Sequence, residues 1–175
     1  MEVIQIAFSM ERINWDDIYM TMTYLVAMKS EDPASKLGAI IVDEDNVLVS
    51  SGYNGLPRGI QVTPERLERP EKYFWFEHAE RNAIYNALRL NHSVRNAKMY
   101  TNGLPCMDCG RAIIQTGIKE VIFDNRWDIK QSDLWKENCG RTGHMFRERG
   151  INFRPYNGHF VVPVRFHNGI EEKLK

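Results

Sequence analysis

The alternation of strand-like and helix-like segments constrains the fold of this chain more than any other feature of its sequence. Five short runs rich in β-branched residues are bounded by turn-forming residues, which is typical of strands: 37–42, 46–53, 97–102, 119–124 and 151–156. Segments with a helical period lie around them, from Asn14 to before Pro33 and over 78–91, 106–117 and 143–150. We therefore predict a three-layer α/β/α sandwich around a mixed five-stranded sheet, whose first two strands form a hairpin.

The remaining segments have weaker patterns. The stretch from Val62 to Lys72 is polar and bounded by prolines, so we expect it to be irregular. Residues 127–142 form a poorly patterned insertion, which we expect near the substrate or at a subunit contact. Pro163 would keep a strand of the C-terminal tail at the sheet edge. With 43% apolar residues, we expect one domain over 1–175, with its core over 13–155 and an extension over 156–175.

Charge and cysteine content narrow the possible partners and compartment. Lys plus Arg and Asp plus Glu both total 23, so the net charge is zero and no general field attracts long nucleic acid. The N-terminal residues do not resemble a signal peptide, and no apolar run approaches the ~20 residues of a membrane span. We expect a soluble, cytoplasmic protein. Three cysteines, an odd number, make a poor disulfide framework there.

Two short motifs at predicted helix starts carry the chemistry. "HAE" spans His78 to Glu80, and "PCMDC" spans Pro105 to Cys109. Cys106 and Cys109 would lie on one helix face, about 5–6 Å apart at Cβ, and a helix N-terminus stabilises the thiolate that binds metals. Two thiolates and one imidazole form a zinc site with an open fourth position, which is the catalytic pattern. Glu80, two residues beyond His78, is better placed as a proton carrier than as a ligand.

A structural zinc site, or a C-x-x-C pair used for packing or redox chemistry, is the alternative interpretation. Structural zinc needs a fourth protein ligand. Cys139 is a candidate, but it lies in the poorly patterned segment, and we expect its thiol to stay outside any metal site. A second zinc site built from Cys139, His144 and His92 is a weaker hypothesis.

The order of the motifs resembles that of a known enzyme family. H-x-E followed by P-C-x-x-C is the signature of zinc deaminases. With "SGYNGLPRG" over 51–59, "HAERNAI" over 78–84 and the segments 13–46 and 103–123, the chain resembles the deoxycytidylate deaminases over roughly residues 13–154. The resemblance implies the cytidine-deaminase-like fold and the conversion of dCMP to dUMP, which feeds thymidylate synthesis.

The resemblance also implies roles for individual residues. It makes Glu80 the proton shuttle, Asn54 a hydrogen-bond partner of the deoxyribose, and the backbone N–H of Ala79 a partner of the base. The zinc ligands that it implies are His78, Cys106 and Cys109. For the phosphate, Lys36, Arg58 and the backbone amides of the 54–59 loop are candidates between which the sequence does not choose.

Members of this family are commonly homohexamers that dCTP activates and dTTP inhibits at a site apart from the zinc. By this resemblance we expect Gly55, Arg58 and Arg89 to bind the effector, with Mg²⁺ bridging its phosphates. Arg89 lies at the other end of the helix that begins near His78. Ligands at the effector site and at the zinc site could both shift the conformational equilibrium of this rigid helix.

Two further functions remain open at this point. One is a zinc deaminase acting on another cytosine or adenine substrate, including RNA, although zero net charge argues against a polynucleotide. The other is a non-catalytic, zinc-stabilised assembly module, which does not explain Glu80 beside an open metal position. The aromatic residues 73–76 are interpreted mainly as core packing, with a wall for a stacked pyrimidine as the alternative.

Overall fold

The computed structural model describes residues 12–124, 126 and 132–161, together with the backbone of 164–167 and 170–173. Six helices are assigned in this part of the chain: α1 (Trp15–Ala27), α2 (Pro64–Leu67), α3 (Lys72–Trp75), α4 (Ala79–Arg89), α5 (Met107–Thr116) and α6 (Asp133–Arg149). The strands are β1 (Gly38–Val42), β2 (Leu48–Tyr53), β3 (Lys98–Thr101), β4 (Glu120–Phe123), β5 (Asn152–Pro155), β6 (Val164–His167) and β7 (Ile170–Lys173). In the described residues, no helix is long and apolar enough to cross a membrane.

The first five strands form the predicted mixed sheet, in the order β2-β1-β3-β4-β5. Strand β1 is antiparallel to β2, with which it forms the predicted hairpin, and also to β3. Strands β3, β4 and β5 are parallel. The parallel strands end at the same edge of the sheet, so the segment between β3 and α5 begins at that edge.

Two separate hydrophobic cores cover the two faces of the sheet. Residues alternate along each strand, so neighbouring side chains enter opposite cores. One core joins α1 to the sheet through Tyr19, Met20, Ile40, Val42, Tyr100 and Ile122. The other joins the sheet to α4, α5 and α6 through Ile41, Ala83, Met99, Ile113, Val121 and Phe146. The helices therefore form the two outer layers of the predicted α/β/α sandwich.

Helix α4 packs directly against the backbone of β2. A Cβ atom at Gly52 would lie 2.3 Å from the backbone nitrogen of Ala83, so only glycine allows this approach. Two asparagines of α4 then donate hydrogen bonds to β2, Asn82 to the Tyr53 carbonyl at 2.8 Å and Asn86 to the Ser51 carbonyl at 2.6 Å. This attachment fixes the start of α4, where the "HAE" motif lies.

The helix predicted over 78–91 is shorter than expected. His78 is its N-cap residue, and the helix ends at Arg89. Ala79, Ala83, Ile84 and Ala87 are buried, whereas Leu88 is exposed. The alanine side of α4 faces the sheet, and Leu88 follows Ala87 by about 100° around the helix, which turns it towards solvent.

The structure contradicts the expectation of a poorly patterned insertion followed by a short helix. Helix α6 extends over 17 residues, and its N-cap is Ser132, whose side chain accepts a hydrogen bond from the Trp135 N–H. Its buried positions are Cys139, Thr142, Gly143 and Phe146. This spacing is helical, but three of the four residues are small or polar, so a hydrophobic pattern does not reveal it. Residues 127–131 lie outside the described part of the chain.

Two other expectations about local structure were wrong. The 62–72 stretch is partly helical, since it contains α2 and the first residue of α3, but elements of four residues are too short to show a period.

The tail does not extend the five-stranded sheet, because β6 and β7 pair antiparallel with each other in a separate sheet. The intervening Asn168-Gly169 pair is a strong hairpin signal in the sequence. Pro163, on which the expectation of an edge strand rested, lies outside the described residues.

Candidate active site

The side chains of His78, Cys106 and Cys109 meet where α4 and α5 begin. The Nδ1 atom of His78 lies 3.5 Å from Sγ of Cys106 and 3.5 Å from Sγ of Cys109. All three potential ligand atoms lie within 4.8 Å of one another. We call these three residues the ligand group; no other cluster of this kind occurs among the described residues.

The geometry of the ligand group fits a tetrahedral zinc ion. Zinc bonds of about 2.0–2.1 Å to nitrogen and about 2.3 Å to sulfur, at a tetrahedral angle, imply a nitrogen–sulfur separation of about 3.5 Å. Both observed separations have this value. One imidazole and two thiolates leave a fourth position for water or substrate, as in catalytic rather than structural zinc sites.

The two helix starts present their N-cap side chains to each other. His78 and Cys106 have extended backbones at the N-cap positions of α4 and α5, and neither side chain makes a capping hydrogen bond. Other side chains accept from the backbone there. Glu77 accepts from the His78 N–H at 2.8 Å, and Asn138 of α6 accepts from the Met107 N–H at 2.8 Å.

The two thiols of the ligand group have pKa values that are shifted in opposite directions. A hydrogen bond from Cys109, helped by one with His78, lowers the pKa of Cys106 to about 3 despite burial. The same hydrogen bond, together with burial and the charge of Glu80, raises the pKa of Cys109. Because zinc binds the thiolate form of cysteine, metal binding must release any proton that the two sulfurs still hold.

Glu80 is buried beside the ligand group, with 5% of its surface exposed. Burial raises the pKa of Glu80, although the positive charge of His78 and a hydrogen bond with Cys109 oppose the shift. Burial alone would lower the pKa of His78, but its hydrogen bond with Cys106 and the charge of Glu80 raise it. A raised pKa makes it easier for a carboxylate to accept a proton and then return it, as a general acid–base group must.

Glu77 holds the entry to α4 in place, a role that the sequence did not indicate. Its carboxylate accepts a hydrogen bond from Nε of Arg81 at 2.6 Å in addition to the His78 N–H. Its backbone also pairs with Gly55, through N–H···O contacts of 3.0 and 2.8 Å. The start of α4 is thus bound to the loop that follows β2.

A cavity of about 410 Å³ opens beside the ligand group, with His78 and Asn54 in its wall. We call it the His78 cavity. Tyr73, Phe76 and Trp135 also line it. The ring centres of Trp135 and His78 are 6.2 Å apart, so the first turn of α6, within the segment that we expected near the substrate, lies beside the candidate site.

The aromatic residues before His78 are not core residues, which contradicts our main interpretation of them. Phe74 is 79% exposed and Tyr73 is also exposed, whereas Phe76 is half-buried at the cavity. Helix α3 is only four residues long, and it packs no face into either core. The alternative, a wall beside the substrate, agrees with the positions of Tyr73 and Phe76.

The three predicted substrate-binding residues have different positions. Asn54 lines the His78 cavity, but its amide already binds the chain: Oδ1 accepts from the Leu37 N–H and Nδ2 donates to the Ser35 carbonyl, both at 2.8 Å. Ala79 is fully buried at the first position of α4. Lys36 is not part of the described cavity wall, and its ammonium donates to the Ser30 carbonyl.

A buried ion pair in the wall of the His78 cavity escaped the sequence analysis. Nζ of Lys72 lies 2.9 Å from both carboxylate oxygens of Asp32, and the two side chains are 7% and 6% exposed. Arg69 lines the same cavity. The partners come from distant parts of the sequence, and no local pattern indicates that they meet.

Two of the three predicted effector residues lie together in a second cavity. Arg58 and Arg89 line a space of about 370 Å³ between β2 and α4, which we call the Arg58 cavity. Arg58 also donates to Oδ1 of Asn86 at 2.6 Å. Gly55 is not part of the described wall of this cavity, and its backbone pairs with that of Glu77.

The hypothesis of a second zinc site is not supported by the structure. Sγ of Cys139 lies 3.6 Å from the Leu104 carbonyl oxygen, so this buried thiol packs between α6 and the segment before α5. His144 contacts Arg147 at 2.9 Å, and His92 lies 3.5 Å from the Val49 carbonyl oxygen. These three side chains do not form a metal-binding group in the described structure.

The fold and the ligand group agree with a family of zinc-binding deaminases. Residues 13–125 match the family described as "Cytidine and deoxycytidylate deaminase zinc-binding region". The chain belongs to this family, and it is a hydrolytic deaminase.

Its relatives include named deoxycytidylate deaminases, as the motifs predicted. The chain is 36% identical to the deoxycytidylate deaminase of Homo sapiens over 152 residues, which cover 82% of this chain and 80% of the human protein. It is 34% identical over 137 residues to an uncharacterized deaminase of Aliivibrio fischeri, with coverage of 78% and 90%. The dCMP deaminase of cyanophage S-TIM5, solved with dCMP and dUMP, superimposes with a TM-score of 0.63 at 22% identity, covering 79% and 94%. This last likeness confirms the fold.

Proposed function

We propose that the protein catalyses the zinc-dependent hydrolysis of dCMP to dUMP and ammonia, which supplies a precursor of thymidylate. The observation that carries the proposal is the buried Glu80 beside a His/Cys/Cys group whose geometry fits zinc and whose histidine opens onto a cavity. The 36% identity to the human deoxycytidylate deaminase supports the choice of substrate. We further propose one cytoplasmic deaminase domain with its core over 13–155.

In this mechanism His78, Cys106 and Cys109 would hold the metal, and Glu80 moves the protons. Zinc held there would lower the pKa of water, so that hydroxide could attack at neutral pH. Glu80 accepts the proton that water loses and passes it to N3 of cytosine as the new bond to C4 forms. Glu80 then takes the remaining hydroxyl proton and gives it to the amino group as the C4–N bond breaks, so one water is consumed and one ammonia leaves.

The three groups proposed to contact the substrate differ in how far they are already engaged within the protein. Ala79 is the first residue of α4, where a backbone N–H has no acceptor within its helix, so it can donate to the base. Asn54 lines the cavity and can offer a second lone pair of Oδ1 to the deoxyribose. Lys36 would first have to leave the Ser30 carbonyl, which makes it the weakest of the three.

An ultraviolet assay of deamination on dCMP, CMP, dCTP, deoxycytidine and a short oligonucleotide tests this proposal. We expect dCMP to give the highest kcat/KM. A higher value for another cytosine compound would favour the alternative of a deaminase with a different substrate. Activity on none of the five would favour the zinc-stabilised assembly module.

We also propose that dCTP activates and dTTP inhibits the enzyme as Mg²⁺ complexes, and that the enzyme is a homohexamer. Support comes from the Arg58 cavity, where two guanidinium groups can bind a triphosphate. Its described wall has no carboxylate, so Mg²⁺ would be held by the phosphates rather than by the protein. Helix α4 connects Arg89 to His78, which supplies a rigid element between the two sites.

Regulation is tested by dCMP saturation curves with and without each effector, for the parent and Arg89→Glu. We expect the effectors to shift the parent curve in opposite directions and to leave the Arg89→Glu curve nearly unchanged. Arg95→Glu, an exposed arginine outside the Arg58 cavity, is the matched control and should respond like the parent. Superimposed hyperbolic curves for the parent under all conditions would contradict the regulatory proposal.

A further inference from the structure

We infer that Arg69 and Lys72 form the subsite for the 5′-phosphate of the nucleotide in the His78 cavity. The inference rests on the proposed function, since it assumes that a cytosine nucleotide occupies this cavity. Both side chains lie in the wall that also contains His78. A monophosphate whose base reaches the ligand group would therefore have its phosphate within the same cavity.

The charge of the cavity wall favours an anion. Arg69 and Lys72 are its only lysine or arginine side chains in the described structure, and Asp32 is its only carboxylate. The two cations exceed the one acid, so the wall carries one positive charge beyond the ligand group. A cavity with one sign of excess charge and low-dielectric walls attracts ligands of the opposite sign.

The carboxylate of Asp32 is occupied by hydrogen bonds to groups of the protein itself. Its carboxylate accepts hydrogen bonds from the Ala34 and Ser35 N–H groups at 2.8 and 3.2 Å, and from Nδ2 of Asn54 at 3.3 Å. The same carboxylate also binds Nζ of Lys72 at 2.9 Å. Asp32 therefore fixes the ammonium of Lys72 in the wall at a defined position.

The side chains of Lys72 and Arg69 both have hydrogen-bond donors that remain available to a phosphate. Within the described residues, Nζ of Lys72 donates to Asp32 alone, through two contacts, and an ammonium has three donors. Arg69 has no carboxylate partner in the described structure, and its guanidinium lies 5.7 Å from the Tyr73 ring. A guanidinium can bind two phosphate oxygens at once, and the neighbouring ammonium can bind a third.

The other cationic candidates lie elsewhere. The ammonium of Lys36 donates to the Ser30 carbonyl, outside the described wall of the His78 cavity. Arg58 belongs to the second cavity and donates to Asn86. Among the described residues, the subsite is therefore assigned to the loop before α3 and to the first residue of that helix.

The decisive variant is Arg69→Gln, because this side chain is exposed and its removal leaves the buried ion pair intact. The matched control is Arg66→Gln: Arg66 lies over the Trp75 ring at 4.0 Å and is not part of the described cavity wall. The measurement is kcat/KM for dCMP and for deoxycytidine in the parent and both variants. We expect Arg69→Gln to lower the ratio of the two values about 10- to 100-fold, and Arg66→Gln to preserve it. An Arg69→Gln ratio within about twofold of the parent would overturn the inference.

A binding experiment separates this inference from the proposed function. If the parent deaminates no cytosine compound, the proposed function fails, and binding of dUMP and deoxyuridine to the zinc-loaded protein still tests the subsite. We expect dUMP to bind the parent about 10- to 100-fold more tightly than deoxyuridine, and Arg69→Gln to remove this preference. Equal affinities in the parent would overturn the subsite.

Lys72 requires a paired change, because removing it alone leaves the buried Asp32 without its cation. The double variant Asp32→Asn/Lys72→Gln replaces both charges by neutral groups of similar shape. We expect it to lose the preference for dUMP over deoxyuridine by a factor similar to that of Arg69→Gln. Retention of the full preference would remove Lys72 from the subsite.

Discussion

The four longer helices in the described part of the chain begin in two different ways. Helices α1 and α6 start with the side chains of Asn14 and Ser132, which accept hydrogen bonds from the Asp16 and Trp135 N–H groups. Helices α4 and α5 start with His78 and Cys106, whose side chains make no capping bond. The first pair of N-cap residues thus serves helix stability, and the second pair serves the candidate metal site.

The candidate metal site thus leaves α4 and α5 without the side-chain capping bonds that α1 and α6 have. A missing N-cap hydrogen bond destabilises a helix by about 1 kcal/mol. The chain offsets part of this loss with neighbouring acceptors, since Glu77 binds the His78 N–H and Asn138 binds the Met107 N–H. Zinc would supply the rest, because metal binding to the folded protein contributes to its stability.

Removing a metal ligand should have the largest effect. We expect His78→Ala and Cys106→Ala to lose bound zinc and all detectable deamination, because three ligands are the minimum for such a site. Metal analysis and the dCMP assay measure both effects. Cys139→Ala is the matched control, since Cys139 is a buried cysteine outside the ligand group, and it should keep zinc. Full zinc retention in both ligand variants would contradict the ligand assignment.

Replacing the proton carrier should have the next largest effect. We expect Glu80→Gln to keep zinc and fold but to lower kcat about 10²- to 10⁴-fold, because the same carboxyl group moves both protons. Steady-state kinetics with parallel metal analysis measure this. Near-normal kcat in Glu80→Gln would mean that another group carries the protons.

The parts of the structure that could be predicted from the sequence are those that a local pattern of residues marks. The strands, α1 and α5 follow from local periods and turn-forming residues, and the segment predicted to begin at Asn14 has Asn14 as its N-cap. The ligand group and Glu80 could also be predicted, because a histidine and a glutamate followed by a C-x-x-C pair have few other roles in proteins. Family membership then supports their assignment.

The parts that could not be predicted depend on contacts between distant residues or on unusual buried residues. Helix α6 buries Cys139, Thr142 and Gly143, which a count of apolar residues omits. The pair of Asp32 and Lys72 forms only once the segment before β1 and helix α3 share a cavity wall. The sequence therefore predicted the chemistry of the candidate site better than the shape of the cavity around it.

Loss of a neighbouring acceptor should have a smaller effect than loss of a ligand or of the proton carrier. We expect Asn138→Ala to lower the free energy of unfolding by about 1–2 kcal/mol, because the Met107 N–H loses its acceptor. Denaturant unfolding measures this. Asn138→Asp keeps an acceptor at the same place and should restore most of the stability. If both variants are equally destabilised, the hydrogen bond is not the cause.

The smallest effect should come from a serine at the N-cap position of α5, where serine is an ordinary cap residue. We expect Cys106→Ser to gain no stability when zinc is added, whereas the parent should, because a serine hydroxyl does not replace the thiolate ligand. Unfolding curves with zinc and with a chelator measure both responses. Equal stabilisation of the two proteins by zinc would contradict this account of the two kinds of helix start.

The most direct test of the central claim is a zinc titration of the metal-depleted protein, followed by initial rates of dCMP deamination. We predict no activity without zinc, a linear rise as zinc is added, and a break at one zinc per chain. Cys106→Ala should stay inactive throughout the titration. Full activity of the metal-depleted parent, or activity that rises equally in the Cys106→Ala variant, would contradict the claim that His78, Cys106 and Cys109 hold the catalytic zinc.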